Sequence, residues 1–137
     1  MNRETVHVLV VEDDDVDIMA IHRAFDKRRL GNPIHVARDG IAALDMLRAS
    51  AIPRPYLILL DLNMPRMSGL EFLQALRKDP RHRDAVVFVL TTSPAEQDRK
   101  AAYAWNIAGY IEKGEVGTGF VRLVDLLERY WDVVQFP

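Results

Sequence analysis

A doubly wound α/β fold built on a five-stranded parallel sheet is predicted by three features of this sequence. Short β-branched runs alternate with longer segments of helical period, the short runs are apolar almost throughout, and no internal repeat, low-complexity stretch or linker divides the chain. Strands that are apolar at nearly every position need burial on both faces, which a parallel sheet covered by helices provides. At 137 residues, 49% hydrophobic and 28% charged, the chain has the size of one domain and the balance of a soluble globular protein.

The strands are expected at Val6–Val11, Ile34–Ala37, Tyr56–Leu60, Val86–Leu90 and Ile107–Ile111. Helices are expected between and after them, at Val16–Arg29, Ile41–Ala49, Leu70–Lys78, Ala95–Trp105 and Thr118–Trp131. The last shows its period most clearly, because Phe120, Leu123, Val124, Leu127 and Trp131 share one face. Asp39-Gly40, Ser68-Gly69 and Ser93-Pro94 each place a small polar residue before a helical run, as an N-cap or sharp turn requires. Asp39-Gly40 would otherwise suit a hairpin, but the helical run after it argues against one. Arg77–Arg83 reads as a solvated loop, and His7, His22, His35 and His82 show neither metal spacing nor a shared face.

Composition excludes several functions. Eighteen basic against 20 acidic residues give a net charge of -2, which offers no global attraction for nucleic acid or an anionic membrane. The absence of cysteine removes disulfides, thiolate zinc sites and thiol catalysis. The apolar run within Met1–Val11 is short, and no stretch reaches the roughly 18–20 apolar residues of a membrane span. A cytoplasmic location is the expectation.

Right-handed crossovers bring every strand-to-helix loop to one edge of a parallel sheet, where ligands of such folds bind. The residues to examine are therefore Glu12 and Asp13 after the first strand, Asp61 and Asn63 at the third, Thr91 after the fourth and Lys113 after the fifth. Three carboxylates converging there repel one another by several kcal/mol at ~4 Å, so a cation is required between them. Oxygen ligands without His or Cys select a hard cation, and few carboxylates favour Mg²⁺ over Ca²⁺. Alone, Glu12-Asp13-Asp14-Asp15 would read as a solvated helix N-terminus favoured by the macrodipole. Their convergence with Asp61, Thr91 and Lys113 changes that reading. A calcium loop starting at Asp13 fails, because Ile18 stands where the turn glycine is needed and Ala24 where the bidentate acid is needed. Gly114–Gly119 matches no phosphate-binding glycine motif, and its glycines read as loop flexibility.

Four blocks, Val8-Leu-Val-Val-Glu-Asp13, Leu60-Asp-Leu-Asn-Met-Pro-Arg-Met-Ser-Gly69, Leu90-Thr-Thr-Ser93 and Gly109-Tyr-Ile-Glu-Lys113, resemble the successive motifs of bacterial two-component response-regulator receiver domains. The resemblance spans nearly the whole chain and implies a flavodoxin-like (βα)5 receiver fold over residues 1–130. It implies that Asp61 accepts a phosphoryl group from a phosphohistidine on a sensor histidine kinase. Asp13 and Asp61 would bind Mg²⁺ directly, Glu12 through water, and Asn63 through its backbone carbonyl. Thr91 and Lys113 would hold the phosphoryl oxygens. On phosphorylation Thr91 would move and Tyr110 rotate inward, switching a protein-binding surface. Asn63 rather than a second Asp disfavours a dehalogenase-like phosphatase, so the chain is expected to act only on itself and not as an enzyme. Asn63 and Ser93 lie where side chains tune phosphate lifetime in this family, and slow self-hydrolysis is expected.

Two departures stand out. Gly114 replaces the proline that usually follows the lysine, so a trans bond, a turn absorbed by glycine and a looser lysine are expected. Residues 131–137 form an apolar tail similar to those of stand-alone receivers associated with bacterial phytochromes. That similarity makes a phytochrome-type kinase a candidate partner and the tail a candidate homodimer arm; folding back on its own domain is the alternative. The downstream protein is unknown, and a pseudo-receiver that binds partners without phosphorylation is the competing function.

Overall fold

The computed structural model describes residues 5–137. Met1–Glu4, with the start of the expected domain, lie outside the described residues. Five strands and five helices alternate: β1 (His7–Val11), α1 (Asp15–Lys27), β2 (Ile34–Ala37), α2 (Gly40–Arg48), β3 (Tyr56–Leu60), α3 (Gly69–Lys78), β4 (Val86–Thr91), α4 (Glu96–Ala104), β5 (Gly109–Glu112) and α5 (Val121–Val133). The strands pair in parallel in the order β2-β1-β3-β4-β5, so the winding reverses beside β1.

Alternation along each strand divides the interior into two cores. Leu9, Val11, Ile58 and Leu60 pack toward Leu44, Leu47, Phe72 and Leu76 of α2 and α3. Val8, Val10, Leu57 and Leu59 pack toward Ile21, Phe25, Leu123 and Leu127 of α1 and α5. Every residue of β3 is buried, which is why its sequence Tyr-Leu-Ile-Leu-Leu carries no polar position. Local chemistry fixes the helix starts. Asp14 caps α1 by accepting from the Val16 and Asp17 amides, Asp39 caps α2 by accepting from Ala42, and Ser68 forms a reciprocal capping box with Glu71.

Several boundaries differ from expectation. β4 extends to Thr91, and β5 starts at Gly109 rather than Ile107. The last helix begins at Val121, because Gly117, Gly119 and Phe120 have φ of 78°, 67° and 61°, a left-handed backbone that cannot continue a right-handed helix. Phe120 nevertheless enters the core, with only 7% of its surface exposed. The helix runs on through Val133, so Trp131 belongs to it and only the last four residues form a tail. Phe136 of that tail meets Tyr130 edge-on at 5.7 Å, and Tyr130 in turn meets Phe88 edge-on at 5.0 Å.

Two readings of the surface need correction. Arg77 is not part of a solvated loop: its guanidinium donates to the carbonyls of Trp105, Arg83, Ala85 and Asn106 at 2.7–2.9 Å. One fork of donors thereby ties the end of α3 to the start of β4 and to the turn after α4. Burial pulls its pKa below the usual arginine value. His7 and His35 also share a face after all, since parallel pairing sets His35 opposite Leu9 and brings the two rings together at Nδ1–Nε2 3.0 Å.

Replacing Arg77 by alanine strands four carbonyl acceptors and is expected to cost roughly 2–3 kcal/mol in urea unfolding. Arg77→Lys restores little of this, because an ammonium lacks the planar fork.

Candidate functional site

The strand register brings the carboxyl ends of β1, β3, β4 and β5 to one edge. The ladder continues one residue past two of these strands. The Glu12 amide donates to the Ala37 carbonyl at 2.9 Å and the Asp61 amide donates to the Val11 carbonyl at 3.0 Å, which fixes both acidic residues against the sheet. Glu12 and Asp61 are buried, at 3% and 6% exposure, whereas Asp13 faces solvent. Glu12, Asp13 and Asp61 each present a carboxylate oxygen within 4.8 Å of the others.

Lys113, just beyond β5, reaches back across the edge. Its ammonium donates to Asp17 at 2.7 Å, to Glu12 at 2.8 Å and, at 3.5 Å, to Asp61. Asp17 entered the sequence reading only through the rejected calcium loop, not as a residue of this site. It lies on the first turn of α1, and its only signal was a carboxylate four residues after Asp13 on the helix that leaves the acidic loop. The expected loosening of the lysine is absent. Lys113–Glu115 form a single 3-10 turn, the Lys113–Gly114 bond is trans as expected, and a side chain added at Gly114 would meet nothing within 4 Å. Glycine's freedom is therefore not used at that position.

The loop after β3 is held close to Asp61. A Cβ at Gly69 would lie 2.5 Å from the Asp61 carbonyl oxygen and 2.6 Å from the Leu62 Cα, so only glycine lets the start of α3 approach Asp61 this closely. The Asn63 amide donates to Asp61 Oδ1 at 3.2 Å. Arg66 donates through Nε to Asp39 at 2.6 Å, tethering the same loop to the cap of α2. Thr91 is fully buried, and its hydroxyl oxygen accepts from the Ser93 amide at 3.3 Å. The Tyr110 hydroxyl donates to the Ser93 carbonyl at 2.9 Å.

Three carboxylates, on Glu12, Asp17 and Asp61, face one ammonium, and Asp13 adds a fourth beside Glu12 and Asp61. Burial, reinforced by the charge of Asp61, pushes the Glu12 carboxyl up to about 7 in spite of its bond to Lys113. Burial works against the Lys113 ammonium too, but its bonds to Asp17 and Glu12 outweigh that and hold its proton more firmly than usual. Burial raises Glu12 and opposes Lys113; the neighbouring carboxylates add to the first shift and outweigh burial in the second. An all-oxygen donor set with this excess charge fits a hard divalent ion.

The family profile described as "Response regulator receiver domain" matches residues 8–124. Among curated proteins, the probable methanogenesis regulatory protein FilR2 of Methanothrix harundinacea is 36% identical over 129 residues, covering 90% of this chain and 82% of its own. The response regulator Rcp1 of Synechocystis is 32% identical over 135 residues, covering 95% and 92%. The crystal structure of the Mn²⁺-bound form of Rcp1 superposes with a TM-score of 0.84 at 32% identity, covering 98% of this chain and 99% of the other. That of the phosphorylated cyanobacterial phytochrome response regulator RcpA gives 0.87 at 31% identity, with the same coverage.

Where a divalent cation binds in competition with the Glu12 proton, its apparent affinity is expected to fall about tenfold from pH 8 to pH 6, and Glu12→Gln to lose most of that dependence. Calorimetric titration at the two pH values measures both. In the metal-free protein the sign reverses: the stability contributed by the raised carboxyl is complete below its ordinary 4.5 and is lost as pH rises through about 7.

Proposed function

This chain belongs to the response regulator receiver family, and from that membership we propose that Asp61 takes a phosphoryl group from the phosphohistidine of a sensor histidine kinase, in a Mg²⁺-dependent transfer that switches a protein-binding surface. The observation that carries the reading is the meeting of Glu12, Asp13, Asp61 and Lys113 at one sheet edge. Glu12, Asp13, Asp61 and the Asn63 carbonyl would hold Mg²⁺, which supplies charge neutralisation between the acceptor and the incoming phosphoryl oxygens.

The chain's own groups then have defined tasks. Asp61 is already fixed by the Val11 carbonyl and the Asn63 amide, so its carboxylate is positioned before the donor arrives. A carboxylate oxygen of Asp61 bonds to phosphorus, the bond from phosphorus to the kinase imidazole breaks, and its electron pair leaves with the imidazole. Lys113 exchanges its carboxylate partners for a phosphoryl oxygen, and the Thr91 hydroxyl donates to another. Tyr110 follows Thr91 inward. The chain acts on itself alone and is not an enzyme toward other substrates.

Two relatives support this reading by what they were seen to hold, Mn²⁺ in Rcp1 and a phosphoryl group in RcpA. Neighbours described as serving phytochrome or red-light signalling favour a kinase of that type as the donor. No described helix is long and apolar enough to cross a membrane, and the proposed meeting place with the kinase is the cytoplasm.

Incubation with acetyl phosphate and Mg²⁺ is expected to add ~80 Da to the intact mass as a labile acyl phosphate, with Asp61→Asn taking up nothing. No adduct on the wild-type chain would instead favour a pseudo-receiver that binds partners without phosphorylation. The tail has a separate test. Phe136 of the tail packs back on Tyr130 of its own domain, as the fold-back alternative expects, while Val133, 82% exposed at the end of α5, is what a second copy would cover in a homodimer. Sedimentation of a chain cut after Tyr130 is expected to show the monomer mass against a dimer for the full chain; equal masses remove the tail from the interface.

A further inference from the structure

The three carboxylates that hold Lys113 differ in what else claims them. Glu12 and Asp61 belong, with Asp13, to the cluster whose oxygens lie within 4.8 Å of one another and whose donor set fits a divalent ion; Asp17 is not a member of it. Yet the bond from the ammonium to Asp17, at 2.7 Å, is as close as that to Glu12 at 2.8 Å and closer than that to Asp61 at 3.5 Å. Only 10% of the Lys113 side chain and 21% of the Asp17 side chain are exposed, so water competes little for this pair.

Asp17 takes its place from α1 rather than from the sheet. It stands in the first turn, where the helix field favours negative charge, and its amide donates to the capping carboxylate of Asp14 at 3.3 Å. Arg38, which reaches the same turn, pairs with Asp15 at 2.6 Å and leaves Asp17 to the lysine. On the other side of Lys113 a side chain at Gly114 would meet nothing within 4 Å, so the residue that follows the lysine does not clamp it.

An ammonium carries three N–H donors, and here each has a carboxylate. A divalent ion in the cluster and a phosphoryl group on Asp61 would engage Glu12 and Asp61, and neither would engage Asp17. The exchange of partners proposed for Lys113 therefore concerns Glu12 and Asp61, and the donor on Asp17 stays where it is.

We propose that Asp17 is a positioning residue: from the first turn of α1 it keeps hold of the Lys113 ammonium while Glu12 and Asp61 are engaged elsewhere, so that the remaining donors meet the phosphoryl oxygens already in place. This rests on Asp61 being the acceptor and Lys113 the group that contacts the phosphoryl oxygens. Loss of a negative charge would by itself favour an anionic ligand nearby, so the field of Asp17 and its hold on Lys113 act in opposite directions on phosphoryl binding.

The test is titration of each full-length protein with beryllofluoride, a mimic of the phosphoryl group, followed by fluorine NMR at Mg²⁺ concentrations that saturate each protein. Asp17→Ala is expected to bind about tenfold more weakly than wild type. Asp17→Asn, which keeps an oxygen acceptor for the ammonium, is expected to lose only about threefold. Hydrogen exchange at the Lys113 ammonium in the beryllofluoride complex, read from its side-chain nitrogen resonance, is expected to quicken about threefold or more in Asp17→Ala. Equal or tighter binding by Asp17→Ala, or an ammonium that exchanges no faster in it, would overturn the role given to Asp17 while leaving the acceptor intact. A wild-type protein that takes up no beryllofluoride would overturn the acceptor reading itself, and with it this one.

Discussion

The ammonium of Lys113 bonds to carboxylates on Glu12, Asp17 and Asp61, which lie 101, 96 and 52 residues away along the chain. No local structure brings these groups together; the parallel order β2-β1-β3-β4-β5 does, by setting the ends of β1, β3 and β5 on a common edge. The sheet makes the notch, and the notch is electrostatically incomplete. A fourth carboxylate, on Asp13, leaves the edge with more negative charge than one lysine offsets, and burial, with the charge of Asp61 adding to it, raises the Glu12 carboxyl. Much of the surrounding structure serves to hold this unfavourable arrangement still. The ladder bonds of Glu12 and Asp61, the close approach at Gly69 and the Arg66–Asp39 tether all act on the backbone beside the carboxylates.

Thr91, Ser93 and Tyr110 sit at the other end of the same edge. Thr91 and Tyr110 both bond to Ser93, one to its amide and one to its carbonyl, so the two are coupled through the backbone of one residue. On the proposed function, a phosphoryl group at Asp61 would act on that pair by offering the Thr91 hydroxyl a stronger, charged partner.

Strand centres were legible because burial on both faces leaves runs such as Tyr56–Leu60 with no polar residue, and the residues after each strand then followed from topology alone. Element ends were less legible. The start of α5 is set by left-handed backbone at Gly117, Gly119 and Phe120, and a buried aromatic such as Phe120 looks from its spacing like part of the helix. Arg77 was misread because a charge in a polar stretch ordinarily means solvent, and nothing local reveals four carbonyls brought to it from Arg83, Ala85, Trp105 and Asn106. The His7–His35 contact was hidden for the same reason, since it depends on the register of two strands. Asp17 lay within an acidic run and gave no sign that it faces a lysine near the other end of the chain. Side chains whose partners come from distant segments were the ones sequence reasoning lost, except where a family pattern named them.

If excess negative charge at this edge is what the site is built to hold for a cation, removing one carboxylate must relieve the metal-free fold. The direct measurement is urea unfolding of wild type and Asp61→Asn at pH 8, once with chelator and once with saturating Mg²⁺. The account predicts that Asp61→Asn is more stable than wild type by about 1–2 kcal/mol without metal, and that Mg²⁺ stabilises wild type but not the variant. A variant less stable than wild type in chelator, together with a wild type indifferent to Mg²⁺, would contradict it.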